Sequence, residues 1–130
     1  MENNDALIEK LKLIRKLNEG LWGWPQEKEH LQQAEDILKE LISEFPENTL
    51  VMTNMGALRC DQGKYKEAIV FLKKAESIGS ADRNLYLNIA IAMLNISAQT
   101  RANAKIYFKK AETLEADELS LAAYFDPQGY

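Results

Sequence analysis

Little in this sequence is equipped for covalent chemistry. Its 130 residues include one cysteine, Cys60, and one histidine, His30. A lone cysteine excludes an internal disulfide and fits a reducing compartment. His30 with Glu27 or Glu29 would offer too few strong ligands at suitable spacing for a metal. There is no Gly-rich phosphate loop, no nucleophile motif and no pair of cysteines. Glu35 and Glu40 lie on an amphipathic stretch with nothing beside them that would suit acid–base work. These absences predict a protein that is not an enzyme and carries no cofactor or metal. No apolar run approaches the roughly 18 residues of a membrane-spanning helix. The start, Met1 to Asp5, is polar and acidic, unlike a secretion signal. The expected location is cytoplasmic, away from any membrane.

Positive charge is also in short supply. The net charge is −4, and residues 1–45 carry all of the excess, with 6 Lys/Arg against 10 Asp/Glu. The remainder is balanced, so nucleic acid would be repelled at long range and is not an expected partner.

Proline is rare: Pro25, Pro46 and Pro127 are the only three. Between them the apolar residues recur with helical spacing, as in Leu7, Leu11, Ile14, Leu17 and Leu21, and again in Leu31, Ala34, Ile37, Leu38, Leu41 and Phe45. No stretch alternates with period two for long. Turn residues at 20–25, 46–48, 62–63, 79–82 and 95–100 divide the chain into helices expected at about 4–20, 26–45, 49–61, 65–78, 83–95 and 101–114. A short seventh helical turn is expected within 117–125. Links this short make antiparallel neighbours, giving three hairpins.

The chain repeats itself. Ala34 and Ala68, Asn54 and Asn88, and Gly56 and Ala90 are each separated by 34 residues, and Phe71 to Ser77 recurs as Tyr107 to Thr113 after 36. The middle unit carries Met52, Met55, Gly56, the turn Gly63-Lys64-Tyr65, then Ala68, Leu72 and Ala75. Small residues at such spacing let two helices cross closely. A period near 34 with helix–turn–helix units resembles the tetratricopeptide repeat (TPR). The third unit keeps Tyr86, Ile89, Ala90, Ala104, Phe108 and Ala111, but its turn, Ile96 to Asn103, reads as two residues too long. The first unit keeps Ala34, Leu38 and Pro46, with an expanded turn at Trp22 and Trp24. The resemblance implies an all-α, right-handed superhelical stack of three hairpins (about 4–48, 49–82 and 83–117) in a single domain, 1–130, with a C-terminal capping segment or tail, 118–130.

The resemblance also implies a concave groove lined by the first helix of each repeat. In this sequence its positions are Leu50, Thr53, Asn54, Ala57, Cys60 and Asp61, then Asn84, Leu87, Asn88, Ile91, Leu94 and Asn95. Asn54 and Asn88 fall at one repeat position, and an amide that both donates and accepts can hold a peptide backbone of any sequence. Leu87, Ile91 and Leu94 either receive apolar side chains of a partner or lie under the C-terminal segment. The lysines of the turns and second helices read as a solvated convex face. The expected function is a protein-interaction module, an adaptor or secretion-type chaperone, binding a peptide segment or helix of a protein partner. The alternative is an immunity- or inhibitor-type protein that masks a basic partner with its acidic first hairpin, through Glu27, Glu29, Glu35, Asp36 and Glu40; Trp22 and Trp24 in the expanded turn either seal the end of that hairpin or touch a partner. A homodimer is compatible with either reading.

Overall fold

The computed structural model describes residues 2–19 and 27–123, with side chains over 5–18 and 29–123. It is all-helical: α1 (Glu2–Glu19), α2 (Glu27–Glu44), α3 (Thr49–Asp61), α4 (Tyr65–Ile78), α5 (Arg83–Ile96) and α6 (Ala98–Glu112). No strand occurs among the described residues. Each helix packs on the next, and α3 also touches α5. Three hairpins therefore follow one another in chain order, with α3 and α5 between the outer helices.

Local chemistry explains the boundaries. Asn48 caps α3, its side chain accepting from the Val51 N–H at 3.0 Å, and Asp82 caps α5 by accepting from Asn84 N–H at 3.3 Å. Gly79 ends α4 in the left-handed region at φ 111°, a conformation that glycine adopts without penalty. The last turn differs from the sequence reading. Ser97 alone separates α5 from α6, ending one helix and capping the next through a reciprocal bond pair with Thr100. A hydroxyl at each end of this Ser-x-x-Thr closes the turn, so the connection is shorter than the residues 96–103 suggested.

The core is centred on α3, where every residue from Val51 to Cys60 is buried. The outer helices bury only narrow stripes: Ala68, Leu72 and Ala75 on α4, and Ala104 and Ala111 on α6. Small side chains on those stripes bring the helix axes close, and Gly56 of α3 lies directly against Leu72 of α4. The α4–α6 side is tied by lysines. Lys73 Nζ donates to the Tyr107 hydroxyl and lies 4.6 Å from that ring's centre, and Lys110 Nζ lies 4.4 Å from the Tyr86 ring. Burial pulls the Lys73 pKa down, but its bonds to Tyr107 and Glu76 outweigh this and leave it raised. These two lysines are therefore more than a solvated face.

Among the described residues beyond α6 there is no seventh helix. Residues 118 and 119 make a turn and 120–123 are non-helical, and this segment returns across α5, α3 and α1.

Candidate partner-binding face

The returning segment is fastened first at the start of α5. Arg83 N–H donates to Glu115 C=O at 3.0 Å, and Asp117 N–H donates to Asp82 Oδ1 at 2.9 Å. Asp117 then shapes a tight turn, accepting from Leu119 N–H at 2.8 Å and, through its carbonyl, from Ser120 Oγ at 3.0 Å. The turn aims the following residues over the face of α5 and α3 that the sequence marks with asparagine.

Asn54 donates to Leu119 C=O at 2.9 Å and accepts from Leu121 N–H at 2.8 Å. Asn88, one period later, donates to Leu121 C=O at 2.8 Å and accepts from Ala123 N–H at 2.7 Å. Each amide thus spans one residue of an extended backbone, and the two spans abut at Leu121. Only one orientation of each amide satisfies both bonds, with nitrogen towards the carbonyl and oxygen towards the N–H. Both side chains are fully buried, which makes each of these four bonds costly to leave unmade. Asn84 adds bonds to Ser120 Oγ at 3.0 Å and Ser120 C=O at 3.2 Å. On α1, Arg15 donates to Glu118 C=O. The segment therefore contacts the first helix of all three hairpins.

Apolar contacts supplement the backbone clamps. Leu121 borders a small pocket that it shares with Ile14 and Leu17 of α1, Leu31 and Leu38 of α2 and Leu58 of α3. Leu121 and Ala123 are buried with the main core, and Leu87 and Ile91 belong to the same cluster.

The other expected groove positions divide. Ala57 is buried, and Thr53 is 1% exposed with its hydroxyl lacking any hydrogen-bond partner. Leu94 does not belong to this face: it packs with Ala90 and Ala104, against α6. Cys60 is buried and its Sγ lies 3.9 Å from Asn88 C=O. Burial, with a further push from Asp61, raises its pKa to about 12, so it is a protonated packing residue rather than a nucleophile. The same environment, burial first and then Cys60 and Asp61, raises Tyr65.

The acidic hairpin needs one correction. Glu35 is not a surface carboxylate: it is 8% exposed and accepts from Arg59 Nη1 of α3, which also donates to Gln62 at 2.7 Å. The Arg59 hydrogen bond, set against desolvation and reinforced by Gln62 and Lys39, holds the Glu35 carboxyl below its usual range. Its charge is therefore committed to joining α2 and α3. Asp36 is exposed and accepts from Gln32 Nε2 at 2.9 Å. Trp22 and Trp24 lie outside the described residues.

Sequence reasoning assigned Asn54 and Asn88 to the backbone of a partner, with Asn84 on the same stripe; in the structure all three bond the chain's own C-terminal segment. It did not assign Arg15, Ser120 or Ala123 to this face. The available signal was the need itself: two buried amides on one stripe require two N–H groups and two carbonyls from a non-helical chain. No group of three or more His, Cys, Asp or Glu side chains is placed to hold a metal among the described residues, and no described helix is long and apolar enough to cross a membrane. Neither a family model, a curated protein nor a solved structure matches this chain.

Proposed function

We propose that the chain is a protein-interaction module of tetratricopeptide-like type whose α1–α3–α5 face is a groove for an extended segment of a partner protein. One observation carries this reading. Asn54 and Asn88, at equivalent repeat positions, make the same two-way bond to successive spans of an extended backbone. Such a clamp reads the peptide group common to every protein, so it suits an adaptor or a chaperone that holds a client segment. The non-enzymatic reading accords with Cys60 being buried and protonated. Masking of a basic partner by the first hairpin is the weaker account, because Glu35 is committed to Arg59.

The test is capture of partners from the native source by wild type, by Asn54→Ala/Asn88→Ala and by Asp36→Lys/Glu40→Lys, each first shown to be folded by circular dichroism. Loss of a partner with the asparagine pair alone supports the groove. Loss with the charge reversal alone moves the interface to the acidic hairpin and refutes the proposal.

A further inference from the structure

The segment on the α1–α3–α5 face can be read as a ligand, and its burial pattern separates what is recognised from what is tolerated. Ser120, Leu121 and Ala123 are buried to 2%, 7% and 6% exposure, whereas Leu119 and Ala122 are half-buried. At Ser120 the hydroxyl meets the amide of Asn84. At Leu121 a buried, branched apolar side chain forms part of the wall of a small pocket together with Ile14, Leu17, Leu38 and Leu58. At Ala123 a small side chain is enclosed while its N–H reaches Asn88. The N–H groups of residues 121 and 123 are both used, so proline is excluded at those two places.

We propose that the groove selects extended partner segments with a small hydroxyl residue, then leucine, then any residue, then a small residue other than proline, and that residues 117–123 are a tethered copy of that ligand. The inference rests on the proposed peptide-binding function and adds to it a partner chemistry and a mode of control. A tethered segment meets its site at an effective concentration on the order of a millimolar. A free segment of equal contacts must compete with that, so binding in trans requires either a longer partner interface or a weakened cis segment. The tail thereby sets a threshold that a partner must exceed, and keeps the apolar pocket covered until it does.

The experiment uses the full chain in two tail-weakened forms. Leu121→Asp removes the pocket contact, and Ala123→Pro removes one clamp bond while leaving the leucine, so one form remains informative if the other does not fold. The probe is a fluorescein-labelled peptide with the sequence of residues 117–123, followed by anisotropy, with circular dichroism to establish folding. The expected result is binding to a tail-weakened chain at least about ten-fold tighter than to wild type, since the cis competitor is reduced. Peptides carrying Leu121→Asp or Ala123→Pro should bind about ten-fold or more weakly, each having lost a buried contact. Adding Asn88→Ala to the tail-weakened chain should abolish the signal. If altered peptides bind as well as the parent, the selection rule is overturned while groove binding stands. If wild type binds as tightly as the weakened chain, the tail is not a competitor and the proposed control is overturned. If no peptide binds any folded form at millimolar concentration, the segment is a fixed part of the fold and the peptide-binding reading falls with the inference.

Discussion

Gly56→Ala is the sharpest test of how closely α3 and α4 approach, because two well-measured effects oppose each other at this site. Alanine is better than glycine in a helix interior by about 0.8–1.0 kcal/mol, so propensity alone predicts a more stable protein. Against this, a Cβ on Gly56 would lie 2.3 Å from Leu72 Cδ2, 2.4 Å from Cγ and 3.1 Å from Cδ1. These distances are well inside van der Waals contact. Leu72 is fully buried, so its side chain cannot turn aside without displacing other core atoms. Overpacking of this kind costs typically about 1–3 kcal/mol. The expected net effect is destabilisation by about 1 kcal/mol, read as a lower urea midpoint at unchanged slope. Leu72→Ala alone should cost about 2–5 kcal/mol through the cavity it leaves. In the double variant the new methyl occupies part of that space, so the two losses should fall short of their sum by about 1–2 kcal/mol. A rise in the midpoint for Gly56→Ala, or strict additivity with Leu72→Ala, would refute the close-approach argument.

Two further predictions concern buried polar groups. Because the folded state holds the Glu35 carboxyl below its ordinary range, folding favours the ionised form; that contribution is complete above the unfolded pKa and is lost as pH falls through the lower folded one. Glu35→Gln should flatten the stability profile between about pH 5 and 3 and cost about 3 kcal/mol near neutrality by leaving Arg59 short of its counter-charge, with parallel profiles in chemical denaturation counting against the pairing. Thr53→Val replaces a buried, unpartnered hydroxyl by a methyl of similar shape and should raise stability by about 1 kcal/mol; a loss in the same denaturation assay would mean that the hydroxyl is satisfied after all.

Much of the fold is legible because helical periodicity, capping residues and the 34-residue period are local or regular signals. Asn48, Asp82 and Gly79 mark helix ends by their own side-chain or backbone chemistry, and Gly56 marks a close crossing because nothing larger fits against Leu72. What escaped the sequence is set by partners distant along the chain. Glu35 follows the polar phase of an amphipathic helix, yet its partner Arg59 lies 24 residues away, and no periodic pattern encodes that meeting. Ser97, by contrast, joins two helices in one residue through Thr100 only three positions on, a local Ser-x-x-Thr pattern that the turn residues around it obscured.

The C-terminal segment shows the same limit where it matters for function. Leu119 to Ala123 is rich in leucine and alanine, the residues most at ease in a helix, and local preference therefore points the wrong way. A helix would engage its own N–H and carbonyl groups, leaving the buried amides of Asn54 and Asn88 without partners. In the extended form the chain gives up short-range bonds and receives four from those amides, one from Arg15 and two from Asn84, together with burial of Leu121. The conformation of the segment is thus imposed by the face it lies on. Under the proposed function, the same backbone bonds would hold a partner segment that brings a leucine in place of Leu121 and an N–H at each clamp.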